Sequence, residues 1–183
     1  MLQHVCLLLP VLVSFGVALA SCLPWGAPLV VQYAMPLLTM AVIFNWTMKR
    51  RELLPSPAIF LIGLFMDLAT AGPLGYWALN FLIAMAVASY SPGRFAGQQR
   101  AAMVMFAAAV ATVTVFGWLL ASLLAMRASP VGPFLLGGLL AVAAYPAVGY
   151  LLAPFDRAVG VALDAIGRGG GYFLGAFGRI RKG

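Results

Sequence analysis

Asp67 is the residue of this sequence that most needs a chemical explanation, because it lies inside the apolar stretch from Ile59 to Asn80. A carboxylate in the middle of a bilayer costs about 2.5–3.5 kcal/mol on insertion scales, so it should face protein or water rather than lipid. Proteolysis by membrane aspartates needs two carboxylates that share a proton. Asp67 is the only acid within the apolar segments, so we do not expect this chemistry.

The remaining candidates for chemistry are isolated in the sequence. A serine nucleophile needs a nearby base, but no His or Lys is available inside the apolar segments to Ser14, Ser21, Ser89 or Ser122. His4 stands alone, with no second His, Cys or carboxylate placed to form a metal site with it. Cys6 and Cys22 lie near opposite ends of one segment, too far apart for a disulfide. Phosphate-binding and cofactor motifs are also missing, so we predict a non-enzymatic protein without cofactor or metal.

The composition is that of an integral membrane protein. Of 183 residues, 64% are hydrophobic and 8% are charged, whereas soluble domains have about 45–50% apolar and 25% charged residues. The net charge of +7 comes from basic residues between and after the apolar segments. We therefore expect those residues to contact anionic lipid and to set the orientation, rather than to bind nucleic acid.

Six apolar segments predict six transmembrane helices in one all-α bundle. Their bounds are Val5–Leu23, Pro28–Met48, Pro57–Ala71, Leu74–Ser91, Ala101–Met126 and Val131–Ala153. Pro10, Pro36 and Pro146 lie inside segments, where they should kink the helices rather than end them. The chain therefore divides into a transmembrane domain, 1–153, and a basic tail, 154–183. The tail is either an amphipathic segment on the cytoplasmic leaflet or disordered.

The distribution of basic residues predicts that 57–91 forms a short helical hairpin turning at Gly72-Pro73. With a hairpin, ten basic residues fall on one side of the membrane and only Arg127 on the other, as the positive-inside rule requires. The ten are Lys49, Arg50, Arg51, Arg94, Arg100, Arg157, Arg168, Arg179, Arg181 and Lys182. A single crossing would divide all eleven basic residues four against seven. We therefore expect a multi-pass membrane protein with both termini cytoplasmic.

Within this hairpin, Asp67 has two candidate partners. Asp67 and Asn80 are equally far from the turn, and small residues four apart on each helix would let the helices approach closely enough for a hydrogen bond. Alternatively, the carboxylate binds the free N–H groups at the start of the fourth helix, near Leu74. Both arrangements are structural, so we expect Asp67→Asn to remain inserted and folded. Because Pro57–Ala71 is short, the turn should be buried in protein or border a vestibule.

The window from Trp46 to about Leu79 resembles the family of the rod shape-determining protein MreD. The family pattern is W-x-x-x-R-P-(D/E)-L, then F-x-x-G-x-x-x-D, then P-L-G. The matching residues are Trp46, Arg50, Glu52, Leu53, Pro55, Phe60, Gly63, Asp67, Pro73, Leu74 and Gly75. Arg51 stands where the family pattern has proline. This chain therefore departs from the pattern in the turn after the second helix, but not in the motif that follows.

The resemblance implies a scaffold of the bacterial cell-elongation complex that directs lateral peptidoglycan synthesis. Proteins of that family act with MreC, the actin-like MreB, the RodA glycosyltransferase and a class B penicillin-binding transpeptidase. Their fold is similar to that of the substrate-binding S-components of energy-coupling-factor transporters. A vitamin-binding subunit of a transporter is therefore the alternative function, to which Gly16-x-x-x-Ala20 would contribute a docking face.

Overall fold

The structure, a computed structural model, describes residues 2–23, 29–89, 99–124 and 126–180. This part of the chain is all-helical and contains no strand, as predicted. The helices are α1 (Leu2–Cys22), α2 (Leu29–Arg50), α3 (Ser56–Ala69), α4 (Tyr76–Ser89), α5 (Gln99–Leu124) and α6 (Val131–Ile180), with a 3-10 turn (Arg51–Leu53) after α2. The predicted loops at 24–26 and 91–94 lie outside the described residues.

Helix α2 forms the centre of the bundle. Every residue from Thr39 to Thr47 is buried, because α2 packs against α1, α4, α5 and α6 on its different sides. Phe44 contacts the ring of Phe106 at 5.3 Å between centroids, and Phe106 stacks on Tyr145 at 4.5 Å. A helix that is apolar all round is expected in such a position. The aromatic contacts join α2, α5 and α6 into one core.

Two helices are long and apolar enough to cross a membrane among the residues described. They are Gln99–Leu123 of α5 and Val131–Val161 of α6. Helices α3 and α4 have 14 residues each, which is about 21 Å at 1.5 Å per residue. Each is therefore shorter than a hydrocarbon core of about 30 Å. Pro10, Pro36 and Pro146 lie inside helices, as their positions in the sequence predicted.

Helix α6 continues through residue 153, where the sequence suggested a boundary between bundle and tail. It has 50 residues and includes Pro154. Its continuation packs on the end of α2, because Lys49 forms an ion pair with Asp156, Val159 is 1% exposed, and a Cβ on Gly160 would lie 3.3 Å from the Arg50 guanidinium. These contacts hold the first part of the tail as helix. Of the apolar residues in the predicted amphipathic pattern, Val159 and Leu163 pack on the bundle, whereas the side chains beyond Leu163 lie outside the described part.

Candidate functional site

The turn between α3 and α4 is closed by a defined helix C-cap. The N–H of Gly72 donates to the carbonyl of Asp67 at 3.1 Å, and the N–H of Ala71 donates to Leu68 at 3.4 Å. This pair of bonds is the Schellman motif, which needs a left-handed residue between cap and turn. Ala71 takes that conformation, with φ of 51°. Helix α3 therefore ends before Ala71, which the sequence placed inside it.

The side chain of Asp67 caps the following helix. Its Oδ2 accepts the N–H of Gly75 at 2.8 Å, and its Oδ1 accepts the N–H of Trp77 at 2.8 Å. These amides belong to the first turn of α4, where N–H groups lack intrahelical partners and the helix dipole favours a carboxylate. The backbone carbonyl of Asp67 also accepts the N–H of Gly72. Asp67 therefore accepts three backbone N–H groups of the turn, two with its side chain and one with its main chain. The sequence left two partners open for the carboxylate, Asn80 and the N–H groups of the turn. In the structure it binds the N–H groups of the turn.

Gly75 is the residue from which α4 starts. Its φ of +91° lies in the left-handed region, which a side chain disfavours and glycine adopts freely. From this conformation its N–H reaches Asp67, while its carbonyl accepts the N–H of Leu79 at 2.9 Å. The carboxylate and the glycine thus fix the same turn, and α4 begins at Tyr76 rather than at Leu74.

Helices α3 and α4 approach closely at Gly63. A Cβ placed on Gly63 would lie 2.3 Å from the Cα of Ala78 and 2.5 Å from its backbone nitrogen. Further along α4, the small residues Ala84 and Ala88 are buried. Of the small residues predicted on α3, Gly63 is therefore at the contact of the two helices, whereas Ala71 is exposed in the turn. Because the neighbours of Gly63 are backbone atoms, rotamer changes cannot make room for a side chain there.

Asn80, the other partner proposed for Asp67, is fully buried and makes no hydrogen bond within the described structure. Its exposed fraction is 0%, and neither its Oδ1 nor its Nδ2 has a partner. The side chain of Tyr76, one turn earlier, makes a polar contact with it, but neither amide atom has a partner at the distance and angle of a hydrogen bond. An unpaired amide in a core destabilises the folded state by its lost hydration.

We predict that Asn80→Leu leaves stability unchanged or raises it by about 1–2 kcal/mol, because leucine has the same branched shape and carries methyl groups in place of the two unpaired polar atoms. The measurement is the apparent melting temperature of the purified chain in detergent. Asn80→Ala is the matched control and should be destabilised by the space that it leaves. A loss on Asn80→Leu as large as that on Asn80→Ala would mean that the amide has a partner such as bound water.

The family-motif residues divide into a buried and an exposed group. Trp46, Gly63, Asp67 and Asn80 are buried, and Trp46 is 0% exposed with its indole N–H unpaired in the described structure. On the surface, Glu52, Pro55, Phe60 and Pro73 are exposed, whereas Gly75 and Arg50 are intermediate. The buried members belong to α2 and the hairpin, so they support packing, while the exposed members are free to meet lipid or a partner.

A cavity of about 370 Å³ lies at the end of the bundle that carries the hairpin turn. Four helices and the turn contribute to its wall: Tyr33 and Pro36 of α2, Thr70, Gly72 and Pro73 of the turn, Tyr76 and Trp77 of α4, Gly117, Leu120 and Ala121 of α5, and Phe134 of α6. Sequence reasoning placed a vestibule beside the turn but named none of the aromatic residues on α2 and α6. These residues lie on separate helices, so no pattern of spacing in the sequence shows that they are close together.

The cavity has the chemistry of a binding site rather than of a catalytic centre. Its lining offers aromatic rings, hydroxyls and backbone groups. Asp67 lies behind the turn with a 1% exposed side chain, and both of its oxygens are occupied by amides. Among the described residues, no three His, Cys, Asp or Glu side chains come together as a metal site would need.

No protein-family model, curated protein or solved structure matches this chain. The class that the fold defines is an all-helical protein with two helices suited to a membrane.

Proposed function

We propose that this chain is a non-enzymatic, six-span inner-membrane scaffold of the bacterial cell-elongation complex, similar to MreD. The observation that supports the proposal best is the role of the residues that carry the resemblance. Asp67 accepts three turn amides, Gly63 allows backbone contact with Ala78, and Gly75 has a positive φ. These residues specify the shape of a hairpin and supply no reactive group, as a scaffold requires.

The arrangement of charges supports the six-span topology. Lys49 at the end of α2 pairs with Asp156, so these basic segments share one end of the bundle. Arg127 follows α5, close in sequence to Ala121, which lines the cavity at the turn end. We propose that the Lys49 end is cytoplasmic and faces MreB, and that the turn end is periplasmic. Reporter fusions at Gly72 and Arg127 should therefore report the periplasm; cytoplasmic signals would contradict this topology.

The proposed direct partner is the membrane anchor of MreC, bound by exposed apolar helix faces. RodA and the class B transpeptidase would then be reached through the complex. Large apolar side chains are exposed on several helices, including Leu61, Leu68, Leu139 and Leu151. Such faces bury themselves against lipid or partner helices, so they can serve an assembly role without any catalytic group.

A substrate-binding subunit of a small-molecule transporter is the second candidate. The cavity of about 370 Å³ favours it, because small-molecule sites have volumes of about 300–1,000 Å³. In that case the chain would associate with an ATPase-linked coupling subunit rather than with MreC.

Co-purification of the tagged chain from membranes of its own cells in mild detergent separates the two functions. We expect MreC to be recovered with the chain and with Asp156→Asn, which changes only an ion pair at the surface. Recovery of an energy-coupling subunit without MreC would overturn the scaffold proposal in favour of transport. Photo-crosslinking from position 74, which is exposed beside the turn, then identifies which protein contacts the turn end of the bundle.

A further inference from the structure

We infer that the cavity beside the hairpin turn is a binding site for an uncharged, ring-containing small molecule that carries a hydrogen-bond donor. This inference goes beyond the scaffold function and does not need it. If the chain is instead a transporter subunit, the inference rests on that proposed function and defines the class of its substrate.

The size and position of the cavity suit a small molecule. Its volume of about 370 Å³ is at the lower end of the range for ligand sites, about 300–1,000 Å³. A second space of only about 10 Å³ lies next to it, between Leu37 and Val113. The wall is built by rigid helices on most sides, so the space exists before a ligand enters.

Two aromatic pairs favour a ring as the occupant. The rings of Tyr33 and Phe134 are 4.4 Å apart between centroids and tilted by 41°. On α4, Tyr76 and Trp77 are 4.9 Å apart and nearly perpendicular. All four residues line the cavity. Aromatic faces and edges prefer other rings at such distances, with about 0.5–1.5 kcal/mol for each pair beyond the burial of area.

The lining excludes a charged ligand. It contains no Asp, Glu, Lys, Arg or His among the residues described. The nearby carboxylate of Asp67 accepts the N–H groups of Gly75 and Trp77, is 1% exposed and does not belong to the lining. A charge in these surroundings would lose its hydration without gaining a counter-charge. The site therefore selects neutral molecules.

Hydrogen-bond acceptors in the wall favour a ligand that donates. The Thr70 hydroxyl donates to the carbonyl of Met66 at 2.8 Å and keeps its lone pairs as acceptors. Gly117 leaves room for the Tyr76 hydroxyl, which a Cβ there would meet at 2.3 Å. A hydroxyl or N–H on the ligand ring can pair with these groups.

The test uses the purified full chain, immobilised in detergent on scintillation-proximity beads, with tritiated 2-naphthol as the probe. We expect saturable binding of about one probe per chain. 2-Naphthoate has the same ring system with a charge, and it should bind more than about tenfold more weakly. Decan-1-ol, a neutral chain with the same donor, should not displace 2-naphthol.

Variants locate the site and control for partition into detergent. Ala121→Phe fills the cavity from α5, and Thr70→Leu fills it from the turn; both should lose more than about tenfold in affinity. Ala108→Phe makes the same change as Ala121→Phe on an exposed position of the same helix and should bind as the wild type does. Only variants that elute as a single species are compared. If Ala121→Phe does not fold, Thr70→Leu alone tests the position of the site.

Four results would overturn the inference. These are a lack of saturable 2-naphthol binding, equal binding by wild type and the folded filling variants, equal affinity for 2-naphthoate, and displacement by decan-1-ol. The last would identify an acyl-chain groove instead. Because this assay contains no partner protein, its failure is distinguishable from failure of either proposed function, which is read from co-purification.

Discussion

Replacing Asp67 with leucine will destabilise the protein by about 2–6 kcal/mol, since it removes the acceptor of two backbone amides and each unpaired buried donor costs about 1–3 kcal/mol. The Trp77 amide is buried and the Gly75 amide is partly buried, so water can replace the carboxylate only in part. The first turn of α4 would also lose its cap. We expect a lower level of the variant in membranes and a lower melting temperature of the purified variant.

Asp67→Asn should fall between wild type and Asp67→Leu, with a loss of about 1–3 kcal/mol. The sequence predicted that this variant remains folded. The geometry adds that its free energy of unfolding is lower than that of the wild type. An asparagine has one acceptor oxygen and would present its NH₂ group to the other backbone N–H, whereas aspartate accepts both. Glutamate is one methylene longer and does not restore the cap.

Asp156→Asn is the control for Asp67→Asn, because it makes the same chemical change in an exposed ion pair. Such pairs contribute about 0–1 kcal/mol, so its melting temperature should stay near that of the wild type. Wild-type stability of Asp67→Leu would contradict the capping role. If Asp67→Asn retained its level and partners but lost function, the carboxylate would have a chemical role that the structural explanation does not include.

Gly63→Leu should abolish accumulation of the folded protein. The added Cβ would lie 2.3 Å from the Cα of Ala78, a distance that requires α3 and α4 to separate. Overpacking a core costs about 1–3 kcal/mol when side chains can move, and the loss here exceeds that range because backbone must move. Separation would also pull Asp67 from the amides of α4, so the two effects combine.

Gly149→Leu is the matched control for Gly63→Leu. Gly149 also lies within a helix, and a Cβ there meets no atom of the described structure within 4 Å. Leucine should therefore be tolerated and add up to about 1 kcal/mol through helix propensity. Fluorescence-detected size exclusion of tagged variants measures both. A monodisperse Gly63→Leu peak at the wild-type level would show that the hairpin is not packed as closely as described.

The hairpin shows how far sequence reasoning reaches. Gly72-Pro73 located the turn, and the small residues around Gly63 predicted close packing, because both signals are local. The choice between Asn80 and the turn amides for Asp67 was left open by the sequence. That choice depends on the left-handed conformations of Ala71 and Gly75, which bring the first amides of α4 back over the end of α3.

The sequence by itself determined the all-helical class, the approximate bounds of the helices and the position of the turn. Apolar composition, proline, glycine and charge act over a few residues, so these properties are readable along the chain. Only the tertiary structure decided that α6 continues past residue 153, that Asn80 is left unpaired, and that aromatic residues of α2, α4 and α6 enclose a cavity. Each depends on groups far apart in sequence, whose contact is fixed by packing rather than by local preference.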